Sequence, residues 1–582
     1  MDVLFSTGIS RRDAIAIDAA CALTIHLIYR KFEYDASHII WHLSFLLGTP
    51  SILTVTFMNS SSASTASLLS FSVFYLVLLS SIILYRLSPW HPLAKYPGPI
   101  VARVSKLWGA IIMAKGKNHE RFKRLHDKYG PYVRIGPNEI SVIDISAFPA
   151  VLGSEGMPKG PMWSARSSQR KTLSLIALRT KVEHARRRKP WNHAFNTVSV
   201  KGYEPIIEKR ALQLVRELEK RSVSKASFRS KCVDIVNLAQ WLSFFTTDFM
   251  GDMAFGGGFE LMRDGGDTEG VWTLIESGFV FLAFFQHFPW IVPLFHRFGI
   301  ARKQLTRFRD FARERVWMRK LNGSVSKDLF YHLMDEGNVQ KQKLSESEVI
   351  SEGALAIGAG SDTTATVLSG IFYHLLLNPK EYDCLQKEVD SFFPLGDGNP
   401  FDSLKLADMP QLNAVINEAL RLQPPVPTYL QRAPEEGSGG KWVNDSFIPE
   451  GTSVVVPPYV VMRSSEYFSP DPEKFWPERW LKLKPEKRDS TNKTDYDILE
   501  SHSEGSSITT NTSAFIPFSY GPANCAGKLL AIVEMRMVVA LLMQRFEMRF
   551  ADGYDPLQWE IELKDYFVTS NGSLPVVLTP RS

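Results

Sequence analysis

Pro517-Phe518-Ser519-Tyr520-Gly521-Pro522-Ala523-Asn524-Cys525-Ala526-Gly527-Lys528 runs straight into an apolar, helix-favouring segment, Leu529 to Leu542. The loop is rich in Gly and Pro and places one cysteine, Cys525, at the junction. A thiolate at a helix start is favoured by the helix dipole and by free backbone N–H groups. Gly521 and Gly527 would let the backbone approach something bulky and flat, and Phe518 offers an aromatic face on the same loop. A single cysteine before a helix is by itself as readily a buried small hydrophobe as a ligand. The rest of the chain has to decide between the two.

Working outward, Glu348 to Leu376 reads as a long helix with Ala359-Gly360-Ser361-Asp362-Thr363-Thr364 at its centre. A mid-helix glycine costs about 1 kcal/mol relative to alanine, so something must offset it. A flat ligand lying against the helix needs small side chains there, and an acid followed by hydroxyls can relay protons. Gln411 to Leu422 reads as a second helix, ended by Pro424-Pro425, with Glu418 and Arg421 at i and i+3 on one face. Phe475-Trp476-Pro477-Glu478-Arg479-Trp480 follows. Arg166 to Lys189 is heavily basic, and within it His184 and Arg188 stand one helical turn apart.

Phe518, Gly521, Cys525 and Gly527 fall at the spacing F-x-x-G-x-x-x-C-x-G. That resembles the haem-binding loop of the haem-thiolate monooxygenases, the cytochrome P-450 family. The resemblance implies that Cys525 is the axial ligand of a haem b iron, a role in which a thiolate is known to favour O–O cleavage in this family. The family usually carries Arg or His two residues before the cysteine, where it meets a haem propionate; here that position is Ala523. Some other cation takes that role, or that propionate is held more loosely. The A-G-x-D-T-T centre of the long helix matches the family's motif at every defined position. Dioxygen bound to the iron must receive two protons on its outer atom before the O–O bond breaks. The resemblance assigns Thr363 to hold dioxygen and an ordered water, and Asp362 to gate proton delivery; simple local hydrogen bonding is the bland reading of such a pair. Glu418, Arg421 and Arg479 match the family's Glu-Arg-Arg triad, which locks the loop before the cysteine, with Trp480 where Phe is usual. His184 and Arg188, and Arg432 after the turn at Pro427, match positions whose side chains reach the propionates.

The neighbours Arg186, Arg187 and Lys189 read as a solvated basic face, one that could also greet an acidic electron-donor protein. Phe279, Phe281, Phe284, Phe285, Phe288, Trp290 and Phe295 crowd a region comparable to the family's substrate roof, though a packed core or a membrane-dipping loop explains them as well. Lys484 to Ser513 is polar and Ser/Thr-rich and reads as a flexible surface insertion.

The chain has 582 residues, 45% hydrophobic and 22% charged, with a formal net charge of +6. That charge is mild for the length and does not argue for a nucleic-acid partner. The four cysteines are scattered without C-x-x-C spacing, which supports neither a disulfide framework nor a zinc site. Residues 1–86 read as a membrane anchor of one to three helices, since a bilayer needs roughly 20 apolar residues per span. The candidate spans are Ala14–Tyr29, Ile39–Met58 and Leu68–Tyr85. Arg30, Lys31, Arg86 and Lys95 place the cytosolic side after the first and last runs, with Arg11 and Arg12 against the rule. Residues 87–99 form a proline-rich hinge, and 100–582 the haem-binding catalytic domain. Short alternating runs at Tyr132–Ile135 and Glu139–Ile143 place a small sheet early in that domain.

The fold expected is therefore mainly α with a minor β-sheet portion, a cytochrome P-450 fold with N-terminal transmembrane helices in the endoplasmic reticulum and the catalytic domain cytosolic. The expected reaction inserts one oxygen atom from O2 into a small lipophilic substrate. The chain carries no G-x-G-x-x-G after a strand, so electrons should come from NADPH through a separate NADPH-cytochrome reductase, a flavoprotein. The loop and multi-helix anchor look similar to fungal members, which often act in terpenoid or other secondary metabolism. A haem-thiolate isomerase or dehydratase acting on hydroperoxides, and a non-enzymatic haem sensor or carrier, are the rivals; the Asp362-Thr363 pair argues against the first, which needs no proton relay to O2.

Overall fold

The computed structural model describes residues 9–31, 38–166, 172–222, 235–257, 259–268, 270–291, 302–323, 327–481, 500–503 and 506–581. Three helices lead: α1 (Arg11–Lys31), α2 (Ile39–Phe57) and α3 (Ala63–Leu87). The helix α2 has a widened turn over Ser44–Gly48 just before Pro50. Pro50 has no N–H to give the carbonyl of Leu46; Tyr75 of α3 gives its hydroxyl to that carbonyl instead, at 2.8 Å. Ala22 and Ile25 of α1 pack on Phe74 and Leu78 of α3, and Ala14 meets Phe57 and Ala66. Arg30 lies over the Tyr85 ring at 4.2 Å, so the basic ends of α1 and α3 share one side of the bundle. Among the described residues, two helices, α2 and α3, are long and apolar enough to cross a membrane. The expected span at Ala14–Tyr29 does form a helix, but Asp13, Asp18 and the flanking arginines keep it short of that standard.

The proline-rich segment is clamped to the residues that follow it. Arg134 is buried and donates to Pro137 O at 2.8 Å, with His91 Nε2 3.2 Å from the same guanidinium nitrogen. Its backbone N–H meets Pro97 O at 2.7 Å, and a Cβ on Gly98 would sit 2.2 Å from Arg134 O.

Helix α4 (Asn118–Tyr129) leads into β1 (Tyr132–Gly136) and β2 (Glu139–Val142), at the positions where alternation places them. The sheet is completed from far along the chain by β3 (Leu430–Arg432) and β4 (Ser453–Val456), in the order β1-β2-β4-β3. The β2–β4 pair is parallel and the other two are antiparallel. The helical body holds α5 (Lys181–Ala194), α6 (Leu238–Phe255), α7 (Glu346–Leu377), α8 (Pro410–Leu422) and α9 (Lys528–Arg545). Ser345 and Glu348 form a reciprocal capping box that starts α7. The core is dominated by one large cluster in which α6, buried almost all round, packs along α7, and α7 in turn meets α8 and α9.

The polar stretch read as a flexible insertion lies partly outside the described residues, at 482–499 and 504–505. Its described end is ordered: β5 (Phe468–Ser469), β6 (Glu500–Ser503) and β7 (Ser506–Thr510) form a three-stranded sheet with β7 in the middle. Ile508, Thr509 and Thr510 are β-branched and suit a strand when a partner such as Phe468–Ser469 is at hand.

Candidate functional site

A cavity of about 420 Å³ lies between the centre of α7 and the loop that starts α9. Its walls include Gly358, Ala359, Gly360, Thr363 and Thr364 from α7, and Phe518, Ala523, Cys525 and Gly527 from the loop. Cys525 is placed by local turns: its N–H donates to Phe518 O at 2.9 Å, and Asn524 N–H donates to Gly521 O at 3.1 Å. The exposed face of Cys525 is the one that opens on the cavity; protein surrounds the rest. Burial therefore raises its thiol from the ordinary value, while the N–H groups of Gly527 and Lys528 and the charges of Arg188 and Lys528 act the other way. Those donors favour the thiolate once a metal takes the proton's place.

The two loop glycines do different jobs. Gly527 lines the cavity and has open space where a Cβ would stand. Gly521 does not line it: its φ is +72°, and a Cβ there would meet Leu152 O at 2.1 Å. Gly521 is thus required by the turn and by a protein neighbour rather than by a flat ligand.

The basic stretch divides residue by residue. Arg188 donates to Asn524 O at 2.6 Å and to Asn524 Oδ1 at 2.9 Å, tying α5 to the residue beside Cys525. His184, Arg188 and Arg432 all line the cavity. Burial and the neighbouring Lys159, Arg188 and Arg432 charges push His184 down to about 3, so its imidazole is neutral. Burial lowers Arg432 to about 10. The neighbours do not form the solvated face expected of them. Arg187 is buried and pairs with Glu352 at 3.1 Å, and Arg186 binds Glu183 and Glu348. Both pin α5 to α7, because the inward side of α5 meets the first turns of α7 where those carboxylates stand. Lys189 alone of the three is exposed.

On α7, Thr363 lines the cavity and its hydroxyl donates to Ala359 O at 2.5 Å. Asp362, next along, is half-buried and lies off the cavity wall. Gly360 has a second explanation: a Cβ there would stand 2.5 Å from the sulfur of Met250 on α6. Close helix packing, as well as a ligand, offsets the cost of that glycine.

Behind the loop, Glu418, Arg421 and Arg479 are fully buried and bonded to one another. Arg421 Nε and Nη2 reach the two oxygens of Glu418 at 2.8 and 2.9 Å, and Arg479 Nε reaches Oε1 at 3.0 Å. The Trp480 indole N–H donates to Glu418 Oε2 at 2.9 Å, a donor that the usual Phe lacks. The same indole packs on Phe515 at 4.7 Å between ring centroids, so the triad grips the segment that leads into Phe518. The two guanidiniums hold Glu418 below the ordinary carboxylate value although burial opposes them.

Three groups on or near this cavity have no signal in the sequence. Lys159 and Glu534 line it, and Glu352 anchors α5 at its edge. Glu534 is buried with Oε1 unbonded, and burial pushes its carboxyl well above the ordinary value. Of the aromatic run, Phe281 lines the cavity with Leu282, tilted against Phe285 with ring centroids 4.4 Å apart; the Phe279 side chain and Phe295 lie outside the described residues.

A thiol aimed into a largely apolar cavity, a hydroxyl on another wall and arginines on its rim suit a flat dianionic macrocycle with a thiolate-seeking metal. Comparison with known proteins agrees. The cytochrome P450 family model matches residues 97–572. The cytochrome P450 monooxygenase FCK2 of Fusarium pseudograminearum is 32% identical over 87% of this chain and 85% of its own length. Cytochrome P450 67 of Uromyces fabae is 30% identical over 96% of this chain and 98% of its own length. Tryprostatin B 6-hydroxylase of Aspergillus fumigatus is 30% identical over 97% of this chain and 96% of its own.

Proposed function

The chain belongs to the cytochrome P450 family, whose enzymes are oxidoreductases that use haem iron, O2 and a redox partner, and from that premise we propose a specific reading. The protein inserts one oxygen atom of O2 into a small lipophilic secondary metabolite, with haem b as cofactor and NADPH-cytochrome reductase as electron donor. It sits in the endoplasmic reticulum by residues 1–86, with 87–99 as link and the catalytic domain from residue 100 facing the cytosol. The grouping of Arg30 and Lys31 with Arg86 at one end of the helix bundle supports that orientation.

The observation that carries the reading is the opening of Cys525 onto the same cavity as Thr363. When bound, the haem supplies an iron that binds and activates dioxygen. Cys525 Sγ would ligate that iron, losing its proton as it does so. Arg188 and Arg432, with neutral His184, would face the propionates. Thr363 Oγ1 is the proton donor at the oxygen-binding side: rotation about χ1 releases it from Ala359 O and turns it into the cavity. Asp362, off the wall, passes protons from solvent to that hydroxyl through water. The apolar walls, with Phe195, Met250, Phe281 and Val568 among them, exclude water and select a lipophilic substrate. Tryprostatin B 6-hydroxylase, by its name, hydroxylates tryprostatin B.

The test is a reduced carbon monoxide spectrum of the purified full chain. A red-shifted Soret band marks the anionic sulfur ligand, and Cys525→Ala should abolish it. Haem-loaded protein without the band overturns the reading. NADPH consumption with reductase and substrate then excludes the isomerase and carrier alternatives.

A further inference from the structure

Ala523 leaves the loop without the cation that its position usually supplies to a carboxylate of the cofactor, and the structure offers a replacement from another part of the chain. Lys159 forms an antiparallel bridge with Arg432. Residues opposite each other in such a bridge point to the same side, and both side chains line the cavity. The bridge is fixed by bonds that leave little play: Ala433 N–H donates to Pro158 O at 3.1 Å, and the Trp163 indole donates to Gln431 O at 2.7 Å. Lys159 Nζ donates to Leu175 O and to Ile176 O, each at 2.9 Å. An ammonium has three donors, so one remains.

The charge balance around the cavity is open. Among the described residues, no carboxylate pairs within 4 Å of Lys159, Arg188 or Arg432. Glu352, whose charge acts on Lys159, is held by Arg187. Arg188 has both terminal nitrogens on Asn524. Arg432 gives one bond to the protein, from Nη1 to Gln431 O at 3.2 Å. A buried cation without a counter-charge is costly, and two backbone carbonyls could be served by a neutral donor. Two cations with donors in hand thus stand side by side over a cavity built for a ligand with two carboxylates.

We propose that Lys159 holds the cofactor carboxylate that Ala523 cannot reach, with Arg432 beside it. This rests on the haem reading above. Burial and the charges of Arg432 and Arg188 depress the Lys159 ammonium well below the ordinary lysine value, and an anion in the cavity reverses that pressure.

The experiment follows haem transfer from the full-length holoenzyme to excess apomyoglobin. Lys159→Met should speed haem loss at least about tenfold, the usual weight of a hydrogen bond to a charged group. Lys159→Arg should stay within about threefold of wild type, and the red-shifted carbon monoxide band should keep its position in both variants, since Cys525 is untouched. Adding Ala523→Arg to Lys159→Met should recover most of the loss. Equal haem loss from wild type and Lys159→Met overturns the proposal, as does a double variant no better than the single. If Lys159→Met yields no holoenzyme, Ala523→Arg alone decides: a change of less than about twofold supports a carboxylate already satisfied, and a roughly tenfold slowing shows one that lacked a partner. A wild-type chain that never shows the carbon monoxide band breaks the haem reading itself, a result distinct from failure of the Lys159 assignment.

Discussion

The Glu418 triad and the cavity rim both bury charge, and they treat it in opposite ways. At the triad, Arg421, Arg479 and the Trp476 and Trp480 N–H groups converge on one carboxylate, all within 3.0 Å. At the rim, among the described residues, no carboxylate pairs with Lys159, Arg188 or Arg432, and burial raises the carboxyl on the cavity wall, Glu534, well above its ordinary value. The difference teaches where the fold is self-sufficient and where it is built around something else. A buried ion network closed within the chain serves the fold, while one left open serves a ligand.

The strongest way to break the comparison is to open the closed side. Glu418→Ala leaves two guanidiniums buried without a counter-charge and should cost about 3–5 kcal/mol, read as loss of folded, haem-loaded protein. Its pH arm follows from the lowered carboxyl. The triad's contribution is complete above the ordinary glutamate value and is lost as pH falls through the still lower folded value. Denaturant midpoints should therefore fall less on acidification in Glu418→Gln than in wild type.

Removing charge from the open side should act on the ligand and spare the fold. Arg432→Met should speed haem loss by about 10- to 100-fold, equivalent to a lost hydrogen bond to a charged group, with little change in the unfolding midpoint of the apoprotein. A drop in that midpoint as large as that of Glu418→Ala would erase the distinction. Thr363→Ala should leave haem binding intact and lower product formed per NADPH by roughly tenfold, with peroxide released instead; water standing in for the hydroxyl keeps this below the usual loss for a proton-transfer group. Unchanged coupling would remove Thr363 from the relay. The smallest effect belongs to Trp480→Phe, which removes one of several donors to Glu418 and should cost about 1 kcal/mol, measured by chemical unfolding.

Much of the site is legible in the sequence because its parts are local. The Cys525 loop is a turn followed by a helix start, and Glu418 and Arg421 lie one turn apart on α8. Arg479 and Arg432 follow from their order along the chain. Where the spacing says less than the structure, the causes are physical. Gly360 lines the cavity as expected, and the backbone there also has to clear Met250 of α6, a contact between helices that no spacing encodes. Gly521 reads as a ligand-facing glycine, but the carbonyl of Leu152 is what stands beside it. The Ser/Thr tract before residue 511 lacks apolar alternation, and it becomes a strand because β5 offers an edge.

The sequence alone determined the chemistry: which side chains can bind a metal, carry a proton or pair with an acid, and at what spacing along one helix or loop. Tertiary structure decided direction. Arg186, Arg187, Arg188 and Lys189 are successive residues of α5, each turned about 100° from the last, and a run of basic residues has no apolar stripe to say which side faces in. Packing against Glu348 and Glu352 settled it, sending Arg187 to α7 and Arg188 to the cysteine loop. The same holds for Lys159, an isolated lysine in the sequence, which takes its place on the cavity wall through a bridge to a strand far along the chain.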